Sequence, residues 1–252
     1  MLASSSLAPL SLLQIETQFR DRIWRGDALG SSPDQIVSSG FDELDKALPG
    51  GGWSTHSLTE LLLPAEGLGE IRLLSHSLKH ITQDGRNILL VGPPYIPYMH
   101  AWESLNIDRR RILMVKVDKT AERLWVIEQG IKSAAFGAAI CWLPEATPQA
   151  MRKLQIIARA AASLTFLFRP VSAQFESSAA PLRILLGPAR RHTLSVRLLK
   201  RRGTPIDLPL YITLPQVRPF SSLIAPIPIP IPILTPTLTN AVDRSSLPDI
   251  IT

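Results

Sequence analysis

The chain has 252 residues, of which 45% are apolar and 19% charged, a balance that fills one sizeable core with extensions and excludes an intrinsically disordered protein. Its longest apolar runs, among them 61–63 and 140–143, fall far short of the ~20 residues a membrane helix needs, so no membrane span is expected. The formal net charge of +6 suits an acidic partner, nucleic acid being the commonest.

Residues 1–38 read as an N-terminal arm. Its apolar stretch 7–13 is broken by Pro9 and has no basic run before it, so a secretory signal is not expected and the cytoplasm is the default compartment. Phe19, Ile23 and Trp24 give the arm an apolar face at helical spacing, which either docks on the chain's own core or pairs with a partner protein. From residue 56 to 168 short apolar runs alternate with helix-period segments. Strands are expected over 56–63, 87–91, 112–117, 138–143 and 164–168, mostly apolar in the manner of strands covered on both faces. The single cysteine, Cys141, sits in one of these runs and reads as a buried, inert thiol.

Helices are expected between the strands. One over 69–82 puts Ile71, Leu74, Leu78 and Ile81 on one stripe and ends at Asp84-Gly85, where glycine accepts the left-handed conformation. A shorter one covers 98–105. A third follows Asp118 with Thr120 as N-cap and Leu124, Ile127 and Ile131 inward, and a fourth opens with Thr147-Pro148 and buries Met151, Leu154, Ile157 and Ala161. Alternating strand and helix predicts an α/β fold: a mostly parallel sheet with helices on both faces.

After Pro181 come strands without helices, over 182–186, 192–199 and 208–213, with Arg201-Arg202-Gly203 turning the chain between the last two. They predict an antiparallel addition at the sheet edge. From Arg183 to Arg202 there are seven Lys or Arg and no acid. Arg190, Arg191, Arg197, Lys200, Arg201 and Arg202 are therefore candidate DNA-binding residues, able to track a phosphate backbone; the alternative is a solvated edge strand protected from aggregation by charge. Residues 216–252 form a Pro-rich tail whose Ile-Pro alternation cannot donate ladder hydrogen bonds at every second position, and which is expected to be extended and disordered alone.

In a fold of this order, phosphate-binding loops occur between the first core strand and the first core helix, where helix amides face the anion. Here that turn reads Leu63-Pro64-Ala65-Glu66-Gly67-Leu68-Gly69-Glu70-Ile71. Set against G-x-x-x-x-G-K-[ST], Gly69 fits the second glycine, whereas Pro64 replaces the first, Glu70 the lysine and Ile71 the Mg²⁺-holding hydroxyl. A carboxylate ~4 Å from a phosphate at an effective dielectric of ~20 repels it by roughly 4 kcal/mol, so this degenerate phosphate loop is expected to hold no nucleotide. An ordinary strand-to-helix loop is the alternative.

The flanking segment Ser39-Gly40-Phe41-Asp42-Glu43-Leu44-Asp45-Lys46-Ala47-Leu48-Pro49-Gly50-Gly51-Gly52-Trp53 resembles the S/T-G-x-x-x-L-D-x-x-L-G-G-G lead into the nucleotide core of RecA-type recombinases, with Pro49 extra. By that resemblance the strand 87–91 should end in a catalytic glutamate but continues Gly92-Pro93-Pro94. The strand 138–143 should end in an Mg²⁺-associated aspartate but has Trp142-Leu143. Glu145 is the nearest candidate for a displaced acid. The resemblance thus implies a RecA-like fold without ATPase chemistry, and no catalytic residue, cofactor or metal is expected.

Across 19–214 the chain is similar to the ImuA family, the RecA-like proteins of bacterial damage-inducible mutagenesis cassettes. The resemblance takes in Ile23-Trp24-Arg25-Gly26, Leu58-Thr59-Glu60 and Phe168-Arg169-Pro170-Val171-Ser172-Ala173. It implies a non-catalytic role in SOS-induced translesion synthesis beside an ImuB-type inactive Y-family polymerase, RecA and an error-prone C-family polymerase. The second resemblance, through the same 168–173 segment, is to SulA-like cell-division inhibitors that bind FtsZ, whose chains end soon after it. An active ATPase with an atypical site is the third reading.

Overall fold

A computed structural model describes residues 35–190 and 192–217. Two short strands, β1 (Ile36–Val37) and β2 (Trp53–Ser54), pair antiparallel and clasp helix α1 (Asp42–Ala47). β1 lies inside the stretch read as the arm. The packing accounts for the spacing of the segment 39–53. The Asp45 carboxylate accepts hydrogen bonds from the Ser39 amide (2.8 Å) and the Ser38 hydroxyl (2.6 Å), while Leu44, Leu48 and Trp53 are buried in the core. Gly40 has φ +84°, and a Cβ there would fall 2.4 Å from the His76 ring, so only glycine fits.

The main sheet is built from β3 (Leu58–Leu63), β4 (Asn87–Val91), β5 (Ile112–Val115), β6 (Phe136–Trp142), β7 (Leu164–Pro170), β8 (Leu182–Pro188), β9 (Thr193–Lys200) and β10 (Leu210–Thr213). Its order is β10-β9-β8-β3-β7-β6-β4-β5, parallel from β8 through β5 and antiparallel at β9 and β10. The helices α2 (Glu70–Gln83), α3 (Met99–Ser104), α4 (Thr120–Lys132) and α5 (Pro148–Ala160) connect the strands. This is the α/β, mostly parallel sheet expected from the alternation, with its antiparallel edge addition; the first of the three late strands, β8, joins in parallel before the chain reverses. Among the described residues no helix is long and apolar enough to cross a membrane.

One face of the sheet carries Leu61, Leu63, Ile88, Ile140, Phe166 and Ile184 against α2 and the β1–β2 segment; the other carries Leu58, Leu89, Cys141 and Leu167 against α4 and α5. Burial in this second layer pushes the Cys141 thiol up to about 12, so it is the inert thiol expected. Thr147 caps α5, its hydroxyl accepting from the Ala150 amide with Pro148 at the first helical position, as its sequence indicates. Thr120, by contrast, is the first residue inside α4; Lys119 holds the cap position and no side chain caps the helix. The expectation of strands covered on both faces fails at β5, where Leu113 and Met114 are exposed because the strand is the parallel edge of the sheet.

The strand β3 contains a fully buried carboxylate. Glu60 accepts from Arg169 Nη1 of β7 (2.8 Å) and from Arg183 Nε of β8. Arg169 also pairs with Glu176 (2.7 Å), and Arg183 Nη2 donates to the Ala173 carbonyl (2.6 Å). Arg183, counted among the basic residues of 183–202, is therefore neutralised inside the fold. The substitution Glu60→Ala leaves two guanidinium groups in the interior without their shared carboxylate, and is expected to lower the unfolding free energy by about 3–5 kcal/mol in urea titration.

Candidate functional site

The loop between β3 and α2 begins at Pro64 and turns back through two glycines in the left-handed region, Gly67 (φ +78°) and Gly69 (φ +112°). Those conformations swing the amides of Gly67 and Gly69 toward a common point. The Glu70 carboxylate occupies it: Oε1 accepts from Gly67 N (3.1 Å) and Oε2 from Gly69 N (3.0 Å). Glu70 is buried, and it opens α2, so the helix dipole adds to its stabilisation. The side chain read from sequence as repelling a phosphate in fact takes the place of an anion on the loop's own amides. Ile71 is half-buried and packs against the first core layer.

The neighbouring strand ends are occupied by side chains as well. Gly92, after β4, has φ +57°, and a Cβ there would lie 2.7 Å from Arg123 Nε. The Arg123 guanidinium from α4 donates to the carbonyls of Val117 and Trp142, so it occupies the space beside the strand end where a longer side chain would point. At the end of β6, Trp142 and Leu143 are buried, Trp142 packing edge-on against Phe168 with ring centroids 5.0 Å apart. Together these ends of β3, β4, β6 and β7 border a cleft of about 570 Å³ lined by Pro64, Glu66, Tyr95, Arg123, Trp142 and Arg169 among others. Glu145 is exposed and borders a different depression with Thr120 and Pro148, so the structure does not bring it to the loop.

Sequence reasoning located Pro64, Gly69, Glu70 and Ile71 but missed Arg123 and Tyr95. Only the Gly67-x-Gly69-Glu70 spacing held a local signal of the closure, since two glycines followed by an acid permit left-handed turns around a carboxylate. The candidate DNA-binding residues divide. Arg190 stands exposed at the turn into β9, Arg197 and Lys200 lie along β9, and Arg201 is half-buried at its end. Arg202 lies toward the opposite face, beside Pro49 and Ser57. Arg191, the arm residues Phe19, Ile23 and Trp24, and the tail from 218 onward lie outside the described residues.

No family model matches the chain, and no curated protein matches it.

Replacing Glu70 with alanine frees the Gly67 and Gly69 amides from their acceptor. Hydrogen exchange at those two amides should accelerate, and the unfolding free energy should fall by about 1–3 kcal/mol. Unchanged exchange there would mean the carboxylate does not hold the loop.

Proposed function

We propose that this chain is a non-catalytic, RecA-like accessory protein of SOS-induced translesion DNA synthesis, acting in the cytoplasm by binding an ImuB-type inactive Y-family polymerase and RecA, beside an error-prone C-family polymerase. The observation that carries the reading is Glu70 on the amides of Gly67 and Gly69. A nucleotide phosphate placed there would have to displace a covalently tethered anion and then face its charge. The β4 and β6 ends support the same reading: by the resemblance Gly92 and Trp142-Leu143 stand where carboxylates would be required, and the Arg123 guanidinium packs beside Gly92.

The framework around the loop is held by contacts of its own. Ser39, Gly40, Leu44, Asp45, Leu48 and Trp53 keep the lead-in segment packed on the sheet, and Arg169 of the 168–173 segment is fastened to Glu60. A RecA-like shape retained while its phosphate loop is closed from within suits a protein that works by presenting surfaces to partners. The strands β8, β9 and β10, which bury Ile184, Leu186, Val196 and Ile212, extend the sheet beyond the point where SulA-like chains end, and so favour the mutagenesis role over FtsZ inhibition.

Two measurements test this. The melting temperature should not move with saturating ATP and Mg²⁺, whereas a nucleotide present at ~100 times its dissociation constant would add about 2.7 kcal/mol of stability. The tagged chain, recovered from DNA-damaged cells, should carry an inactive Y-family polymerase homologue and RecA; recovery of FtsZ in their place would assign it to division control.

A further inference from the structure

The helices α4 and α5 cover the second face of the sheet from β3 across to β5. Past the buried Arg183, no helix packs on that same face of β8, β9 and β10 among the described residues; there Gly187 and Ser195 are half-buried and Arg197 and Lys200 exposed. Gly187 lies opposite Ser195, and Ser195 opposite Tyr211, so one row across the three strands holds two small residues and then a tyrosine ring that is 61% exposed. Strands lie 4.7–4.9 Å apart, so Gly187 and Ser195 make a floor roughly 10 Å wide beside the ring. In the next row Arg197 stands opposite Leu185. A bulge near the end of β9 then brings Lys200 opposite Arg183, onto the same face. The depression over this floor has a volume of about 530 Å³ and is bounded by Arg197, Asp207 and Pro209.

The charge on this face is one-sided. Asp207 is the only acid between residues 183 and 217. Lys200 donates to the Ser178 carbonyl, and the Arg197 guanidinium has neither a hydrogen bond nor an ion pair among the described residues. Arg190 at one end of β9 and Arg201 at the other place cations over roughly 24 Å of extended strand. Solvation alone accounts for exposed cations on an antiparallel face, but it gives no reason to set an exposed aromatic residue in the same row as a glycine-serine floor beside them. Those features together are what an unpaired base and its phosphates require: a π-face to stack on, room for a planar ring, and cations spaced along a groove.

We propose that the open face of β8, β9 and β10 binds single-stranded polynucleotide, one base stacking on Tyr211 and the phosphates held by Arg197 and Lys200. This goes beyond partner-protein binding and is independent of it, because the test uses the purified full-length chain alone.

Fluorescence anisotropy with labelled oligo-dT, oligo-rU and a duplex of equal length measures it. The single strands should bind more tightly than the duplex, in which no base is free to stack; comparing dT with rU shows whether DNA, RNA or both are accepted. The Tyr211→Ala variant should lose about tenfold or more in affinity while Tyr211→Phe retains it. The slope of log affinity against log salt should become shallower by about 0.7 in Arg197→Ala. Gly187 has an ordinary backbone conformation, and a Cβ there would sit 3.8 Å from Ser195 Cβ, so Gly187→Leu should fold with an unchanged melting temperature yet block the floor and weaken binding. Absence of saturable binding, a duplex bound as tightly as the single strands, or a Tyr211→Ala variant that binds like the parent at the same melting temperature would each overturn the proposal.

Discussion

The architecture is organised around the Glu60 carboxylate, shared by Arg169 and Arg183 in the interior of the sheet. β3 lies between β7 and β8, so this one side chain ties together the strand that enters the candidate loop, the strand that borders the cleft, and the first strand of the late addition. Arg183 faces Glu60 directly across the β3–β8 ladder, and Arg169 reaches it from one step along β7. Burying a lone charge costs several kcal/mol, and a cluster of two carboxylates and two guanidinium groups repays that cost only when all four are in register. A slip of β8 by one residue would turn Arg183 into the opposite, apolar layer, so the ionic cluster specifies the register of the parallel joint more sharply than apolar contacts alone would.

That joint has consequences on both sides. Toward β7, Arg169 is held where it can line the cleft, with Pro170 ending the strand and a 3₁₀ turn over Val171–Phe175 bringing Glu176 back to it. Toward β8, the cluster marks the limit of the helical cover. Beyond Arg183 no helix packs on the second face of the sheet among the described residues, and apart from Leu185 its composition changes to Gly187, Ser195, Arg197 and Tyr211. The first face continues apolar through Ile184, Leu186, Val196 and Ile212. The antiparallel strands are thus amphipathic in the sense expected of a sheet with one solvated face, whereas β3, β6 and β7 are buried on both.

How much of this was legible beforehand follows from the range of the interactions. Elements set by local pattern were readable: the apolar runs of β4 and β6, the stripe of α2, and the Thr147-Pro148 start of α5. Edge position was not, because the run Ile112-Leu113-Met114-Val115 has the same composition whether or not a neighbour covers it. The partners of Glu60 are 109 and 123 residues away, and nothing near Glu60 announces them. At the cap of α4 a threonine was a good candidate by preference alone, but the chain enters the helix one residue earlier and leaves Thr120 inside it. In the segment 39–53 the pattern was recognisable, yet its physical basis, a carboxylate bonded to Ser38 and Ser39 and a glycine beneath His76, appears only when α1 and α2 are packed.

The loop between β3 and α2 shows the same limit in its sharpest form. A count of residue types marks Glu70 as a charge of the wrong sign and stops there. The two left-handed glycines convert the wrong charge into a satisfied one, since amides that converge on a point need an acceptor and a tethered carboxylate supplies it at no loss of translational freedom. A loop that carries its own acceptor in this way has its amides satisfied from within the chain. The carboxylate thereby fixes the loop's shape, and with it the junction of β3 and α2.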